Sequence, residues 1–299
     1  MLAYLDETQI RALLTWDDLI PAMERALAEF SAGRVIQPVR TVLPIEEGRR
    51  YLGLMPAITN EVMGLKAVTF YPVNAGTDAP THQGMILLFR PDTGEPLAVM
   101  DGTLITEMRT AAVSAAVTNR LAPSEAHVLA LLGSGVQAKA HLEALRHVRK
   151  FTEVRVWSRN SEHAQRFAHK HGITATSAEA AVRGADVIVT ATGAQDPILC
   201  GAWLKPGAHV NAVGSCRANC RELDDDAMAN TVVVDSREAA LREAGDIIMS
   251  NAKIYAEVGE IFAGKKPAPL SEITVFKSVG IAAEDLAAAK LVLDRLREK

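Results

Sequence analysis

Cysteine is scarce, with three in 299 residues. So small and odd a number builds no disulfide framework and suits a reducing compartment. Cys216 and Cys220 lie close together with Cys200 distant. No CxxC spacing or nearby histidine pair accompanies them, so no metal site is expected. A large excess of charge of one sign is lacking too. The formal net charge is −4 without a basic run, which argues against nucleic acid as a partner. No apolar run approaches the ~20 residues of a membrane span. The opening Met1-Leu-Ala-Tyr-Leu-Asp-Glu-Thr8 lacks the basic and apolar segments of a secretory leader. A cytoplasmic location is therefore expected. Repeats and low-complexity segments are absent as well. What is present is the balance of a globular protein, 48% hydrophobic and 23% charged, long enough for one large domain or two ordinary ones.

The most informative stretch starts at Leu129. A short apolar run reads as a buried strand, breaks at Gly133-Ser134-Gly135 and passes at once into an amphipathic helix. Val136, Ala140, Leu142 and Leu145 are its expected inward residues. Gly133, Gly135 and Ala138 fill a G-x-G-x-x-A frame in a strand-turn-helix setting. Small residues there let the backbone approach a pyrophosphate, whose charge is met by the N–H groups at the helix start. The plainer alternative is a tight turn with no ligand. The following strand ends Val156-Trp157-Ser158-Arg159-Asn160. It lacks the acidic residue that bonds the ribose 2′-hydroxyl of NAD. Ser158, Arg159 and Asn160 offer a hydroxyl, a guanidinium and an amide to a 2′-phosphate, so NADP is expected ahead of NAD. In the alternative, Arg159 simply faces solvent.

Around this stretch the pattern divides. Before it come helices, capped at Asp6 or Thr8 for Gln9–Leu14 and at Thr15 for Trp16–Phe30. Strands follow at Val39–Leu43, Tyr51–Met55, Leu65–Tyr71, Met85–Phe89 and Leu97–Asp101, joined mostly by short loops, which suggests an antiparallel or mixed sheet. An Ala-rich helix from about Thr103 to Leu121 reads as a connector. After it, strands at Val154–Ser158, Asp186–Ala191, His209–Gly214 and Thr231–Asp235 are spaced by helical segments such as Ser161–His171 and Ser177–Arg183, the mark of a parallel sheet. A final amphipathic helix spans Ala282–Arg297. The expected fold is α/β: a Rossmann-type NAD(P)-binding domain over 122–280, with a mixed α+β domain from 1–121 and 281–299.

Three basic residues fall on apolar faces. Lys66 alternates with Gly64, Val68 and Phe70, and Arg40 alternates with Val42. Arg109 shares a helical face with Ile105, Ala112, Val113 and Ala116. A buried cation needs an anion. Glu46, Glu61 or Glu107 are candidate structural partners, and snorkelling from a strand end is another outcome. The three together suggest a clamp for a substrate carboxylate. Trp157 and Trp203 read as packing residues, Cys216 as a small buried residue beside a cofactor loop, and most histidines as helix-surface residues.

The stretches Leu52–Pro56, Gly64–Ala67, Pro80–Gly84, Asp101–Thr103, Met108–Ala112, Gly133–Ala138, Arg221–Asp225 and Phe276–Gly280 together resemble the ornithine cyclodeaminase/mu-crystallin family over essentially the whole chain. The resemblance implies a homodimer whose N-terminal segment, joined by the C-terminal helix, binds the substrate and the second subunit. It implies that Arg40, Lys66 and Arg109 surround an amino-acid carboxylate, with Lys66 also placed for proton transfer. The cofactor contacts it implies are Gly133, Ser134, Gly135, Val136, Gln137 and Ser278, with Thr81, Thr110, Thr192 and Val213 expected around the same ligand and His82 near the nicotinamide. In one respect the chain departs from the family's cyclodeaminases. They carry an aspartate soon after the strand matching Val210–Gly214, whereas no acid occurs here before Glu222. The departure favours the simpler chemistry of the family's NAD(P)H-dependent reductases of cyclic ketimine carboxylates, such as Δ1-pyrroline-2-carboxylate or Δ1-piperideine-2-carboxylate. An open-chain alanine- or arginine-type dehydrogenase, a cyclodeaminase with its proton group replaced, and a crystallin-like NADPH binder are the alternatives.

Overall fold

The computed structural model describes residues 2–74 and 76–298. They form two units, one ending at Arg109 and resumed from Ile281, the other running from Thr110 to Gly280.

In the first unit six strands make one sheet: β1 (Ala3–Leu5), β2 (Thr41–Glu46), β3 (Arg50–Ile58), β4 (Met63–Phe70), β5 (His82–Phe89) and β6 (Pro96–Asp101), in the order β1-β6-β5-β4-β3-β2. Strands β2 to β6 pair antiparallel, and β1 lies parallel to β6. The N-terminal stretch corrects the sequence reading. The expected helix is capped at Asp6 but runs Glu7–Arg11 rather than Gln9–Leu14, and β1 precedes it. Asp6 caps it by accepting from Gln9 N at 2.9 Å, while Gln9 Oε1 accepts from Asp6 N at 3.0 Å. Three residues are too few to show alternation, and the partner of β1 is remote in sequence. The helix Trp16–Ser31 begins at Thr15 as expected and buries Ile20, Met23 and Leu27. It packs on the C-terminal helix Ala282–Arg297, which also lies across β3, β4 and β5. That approach requires Gly64 in β4: a Cβ there would stand 2.3 Å from Leu87 O and 2.8 Å from Leu286 Cδ2.

The second unit is a parallel sheet of β7 (Val128–Leu132), β8 (Glu153–Trp157), β9 (Thr174–Ala175), β10 (Val187–Thr190), β11 (His209–Ala212), β12 (Thr231–Val234), β13 (Ile254–Glu257) and β14 (Thr274–Lys277). Their order is β13-β12-β14-β11-β10-β7-β8-β9. From β7 the chain builds outward to β8 and β9, then returns to β10 on the other side of β7. This reversal opens a crevice at the carboxyl ends of β7 and β10, where doubly wound sheets bind ligands. Strands β13 and β14 and the short helices after residue 220 escape the sequence reading, because elements of four to seven residues carry too little periodicity.

The connector helix runs from Gly102 to Leu121, with Ile105, Ala112, Val113 and Ala116 buried. The boundary between units falls inside it, at residues 109 and 110, rather than after Leu121. The reason is that its second half is bound into the parallel-sheet unit. Ser114 Oγ lies 2.9 Å from His141 Nε2, and Asn211 Nδ2 donates to Thr118 Oγ1 at 2.9 Å. His209, placed between Asn211 and Thr274, continues this chain of polar contacts. His141, on a helix whose histidines are expected at the surface, is fully buried, as is His209 at the start of β11. Among the described residues no helix is long and apolar enough to cross a membrane. No group of three His, Cys, Asp or Glu side chains among them could hold a metal ion.

Candidate active site

A cavity of about 780 Å³ opens at the crevice of the second unit. Its floor is the turn Gly133-Ser134-Gly135 after β7. One wall is Trp157 to Ser161 with His163 after β8, and the other is Ala191 to Ala194 after β10. Gly133 has φ +131°, and a Cβ on it would meet Ala191 O at 2.6 Å, so only glycine fits this turn. The helix Val136–Arg146 starts from Gly135 without a side-chain cap, whereas Asn160, Ser177 and Ser236 cap helices of the same unit. Its first N–H groups therefore suit an anion arriving from outside, as a dinucleotide's pyrophosphate does. At Gly135 a Cβ would meet nothing within 4 Å, which leaves room for that approach.

Of the residues expected around the cofactor, the structure brings Gly133, Ser134, Gly135, Ser158, Arg159, Asn160 and Thr192 into this cavity. Trp157, read as a packing residue, lines it too. Asn160 Oδ1 caps the next helix by accepting from Glu162 N at 2.9 Å, so its amide nitrogen is the end left to face a ligand. Val136 is 61% exposed rather than inward, because the first residue of this helix lies on its outer side. Gln137 Oε1 is buried and accepts no hydrogen bond from the described residues. Val213 is half-buried just after β11, and Thr110 is half-buried on the connector helix. Ser278 is buried, with its hydroxyl donating to Asp235 Oδ2 at 2.9 Å. Thr81 belongs to the first unit, its hydroxyl 3.4 Å from His82 Nδ1.

The cations lie in the first unit. Lys66 is 2% exposed in β4 and Arg109 5% exposed on the connector helix. Both have carboxylate partners on the C-terminal helix, Glu284 and Asp285. Lys66 Nζ stands 2.8 Å from Asp285 Oδ2, while Arg109 meets Glu284 Oε2 at 2.6 Å and Asp285 Oδ1 at 2.9 Å. Arg40 lies just before β2, near enough for its charge to act on Lys66. Burial, then the Arg109 and Arg40 charges, draw Lys66 down to about 8 against the pull of Asp285. Burial disfavours the Asp285 carboxylate, but the Lys66 and Arg109 charges outweigh it and hold the group below its ordinary range. Burial, and then the Lys66 charge, lower His82, whose ring lies 4.4 Å from that of Phe70.

Sequence reasoning missed Glu284 and Asp285. Their one visible signal is a pair of acids in the first turn of a helix, where acids are common for other reasons. It also missed a buried charge cluster in the second unit. Lys277 Nζ is 2.8 Å from Asp246 Oδ2 and donates to Gly214 O at 2.5 Å. Burial opposes the charge on Lys277, but Asp246, Cys216 and Glu222 outweigh it and hold the ammonium above its ordinary value. Glu222 accepts from the Thr190 hydroxyl, from both the backbone N–H and hydroxyl of Thr192, and from Gly214 N. Burial pushes its carboxyl up. These bonds fix the loop after β11, where Ser215 has φ +49° and Cys216 Sγ lies 3.5 Å from Ser278 O.

Fold and cavity together define a protein with a Rossmann-type dinucleotide-binding unit joined to a mixed sheet that carries a buried cation–carboxylate cluster. The chain belongs to the ornithine cyclodeaminase/mu-crystallin family, whose model matches residues 3–299. The ketimine reductase mu-crystallin of Mus musculus is 52% identical over 285 residues, covering 92% of this chain and 91% of the relative. A Δ1-pyrroline-2-carboxylate reductase of Bacillus cereus is 39% identical over 309 residues, covering 97% and 95%. Among solved structures, the Thermococcus litoralis Δ1-pyrroline-2-carboxylate reductase in complex with NADH and L-proline superposes with a TM-score of 0.93. It is 36% identical, with 100% of this chain and 98% of that one covered. An archaeal alanine dehydrogenase dimer with bound NAD gives a TM-score of 0.92 at 32% identity, covering 99% and 96%.

Proposed function

We propose that the protein reduces a small cyclic ketimine carboxylate, Δ1-pyrroline-2-carboxylate or Δ1-piperideine-2-carboxylate, to the cyclic L-amino acid with NADPH. The observation that carries this reading is the ammonium of Lys66, buried beside Arg109 and brought to about 8. A group with that value is still mostly charged near neutrality and gives up its proton readily, as a general acid must. When bound, the dinucleotide supplies the hydride. The substrate carboxylate is met by Arg109 and Arg40, which fix the ring's orientation. Lys66 protonates the imine nitrogen and so makes the ring carbon a better hydride acceptor. From Gly214 to Arg221 there is no carboxylate, and Glu222 is engaged in its own hydrogen bonds, so that loop holds no group to move protons at a departing amine. This favours reduction over cyclodeamination.

NADPH is preferred to NADH because no carboxylate lines the described cavity, while Arg159, Ser158 and the Asn160 amide border it. A homodimer is supported by the edge strand β2, which exposes Val42, Leu43 and Ile45 at 47%, 47% and 58%. An exposed apolar sheet edge invites a second copy. Sedimentation equilibrium at micromolar concentration is expected to give twice the chain mass, and a monomer would refute the dimer.

The function is tested by following NADPH absorbance with each cyclic imine, and with a 2-oxo acid plus ammonia. Rapid oxidation with the imine is expected. Lys66→Ala should lose about 100- to 10,000-fold in kcat, the usual contribution of a positioned acid. Consumption only with the 2-oxo acid and ammonia would transfer the reading to an open-chain dehydrogenase. Wild-type turnover by Lys66→Ala would remove Lys66 from the chemistry.

A further inference from the structure

One carboxylate in the first unit's cluster touches both cations. Asp285 places Oδ2 2.8 Å from Lys66 Nζ and Oδ1 2.9 Å from Arg109 Nε, whereas Glu284 Oε2 lies 2.6 Å from Arg109 Nη1. The three side chains joined by Asp285 are almost wholly withdrawn from water, 2% exposed for Lys66, 6% for Arg109 and 0% for Asp285. Both acids occupy the first turn of Ala282–Arg297, whose positive end favours them. A further polar neighbour of Lys66 Nζ is Thr106 Oγ1 at 3.5 Å, and that hydroxyl donates to Gly102 O. Asp285 is therefore the short, charge-assisted contact on the ammonium.

We propose that Asp285 is a positioning residue for the proton donor: its two oxygens fix the Lys66 ammonium beside the Arg109 guanidinium, while Glu284 holds the Arg109 guanidinium. This rests on the reading of Lys66 as the acid that protonates the imine. The groups acting on Lys66 are Arg109 from the connector helix, Arg40 ahead of β2, and Asp285 from the C-terminal helix, with His82 in β5 acted on in turn by Lys66. Glu284 acts one step away, through Arg109. Burial and the two guanidinium groups pull the ammonium down, and Asp285 opposes them. Without that opposing charge the proton is lost at lower pH.

The test uses two readouts on the full chain. In lysine-labelled protein, the NMR signal of Lys66, assigned through K66R, is titrated in wild type, D285N, D285E and E284Q. In parallel, kcat and KM for Δ1-pyrroline-2-carboxylate with NADPH are measured against pH. The Lys66 midpoint should fall by about one pH unit or more in D285N, return toward wild type in D285E, and move less than half as far in E284Q. The high-pH limb of kcat should follow the midpoint in D285N, while E284Q should chiefly raise KM. D285E, with its longer side chain, should keep the midpoint and lose about tenfold in kcat through the displaced ammonium. It carries the test if D285N does not fold. An unmoved midpoint in D285N, an equal displacement in E284Q, or full kcat in D285E overturns the proposal. A midpoint displaced in D285N, together with a wild-type protein that never reduces the imine, upholds the hold of Asp285 on Lys66 and refutes the assigned reaction instead.

Discussion

Lys66 and Arg109 are visible in the sequence as cations on apolar faces, because two simple periods, one for strands and one for helices, mark a face from local order alone. The same reading fails for Arg40, which is half-buried ahead of β2 with Val42 exposed. The partners of Lys66 and Arg109 are not visible. Arg109 meets Asp285 across 176 residues of chain, and no local pattern records such a pairing. Arg159 is the opposite case. The run Ser158-Arg159-Asn160 already suggests a phosphate site, and the structure brings those three residues to one cavity with the glycine turn. Arg159→Ala should raise KM for NADPH by about 10- to 100-fold, the worth of one charge-assisted contact, and leave KM for NADH nearly unchanged. Equal losses with both cofactors would show that Arg159 does not read the 2′-phosphate.

The strand-turn-helix unit from β7 through Arg146 is legible because each of its parts has a local cause. An apolar run makes the strand, glycine makes the turn, and an apolar face repeating every three to four residues makes the helix. The structure separates the work of the two glycines. Gly133 is required by its φ of +131° and by the Ala191 carbonyl, while Gly135 has open space where a Cβ would go. Gly133→Ala should lower stability by about 1–3 kcal/mol and abolish NADPH binding. Gly135→Ala should melt like wild type yet bind NADPH more weakly, since the added methyl occupies the approach to the helix start. Thermal melts with and without NADPH distinguish the two. Equal melting of Gly133→Ala and wild type would refute the strain argument. Strands β13 and β14 and the short helices after residue 220 are illegible because their place is set by neighbouring strands rather than by their own pattern.

Across the whole molecule, buried ionisable groups set the response to acid. Burial brings His141 and His209 each to about 4, well below the ordinary histidine value. The unfolded chain therefore binds these protons more tightly than the folded one. The stability they allow is complete above about pH 6.5 and is lost as pH falls toward 4, by about 1 kcal/mol for each histidine at pH 5.5 and about 3 at pH 4. Asp285, also held low, adds to the loss in the same direction as its carboxylate becomes protonated. Urea denaturation from pH 7 to pH 4.5 should show a falling midpoint, and a His141→Gln, His209→Gln double variant should flatten it. A flat wild-type profile would refute this account.

The sequence alone determined the two kinds of sheet, the glycine turn, the Ser158-Arg159-Asn160 strand end beside it and the buried positions of Lys66 and Arg109, because each follows from contacts within a few residues or from the repeat of one element. Only the tertiary structure decided that the C-terminal helix brings Glu284 and Asp285 to those cations, that the connector helix divides at residue 109, and that Lys277, Glu222 and Asp246 brace the loop after β11. The physical reason is that a buried charge takes whichever opposite charge the chain's topology carries to it, and that meeting leaves no trace in local order.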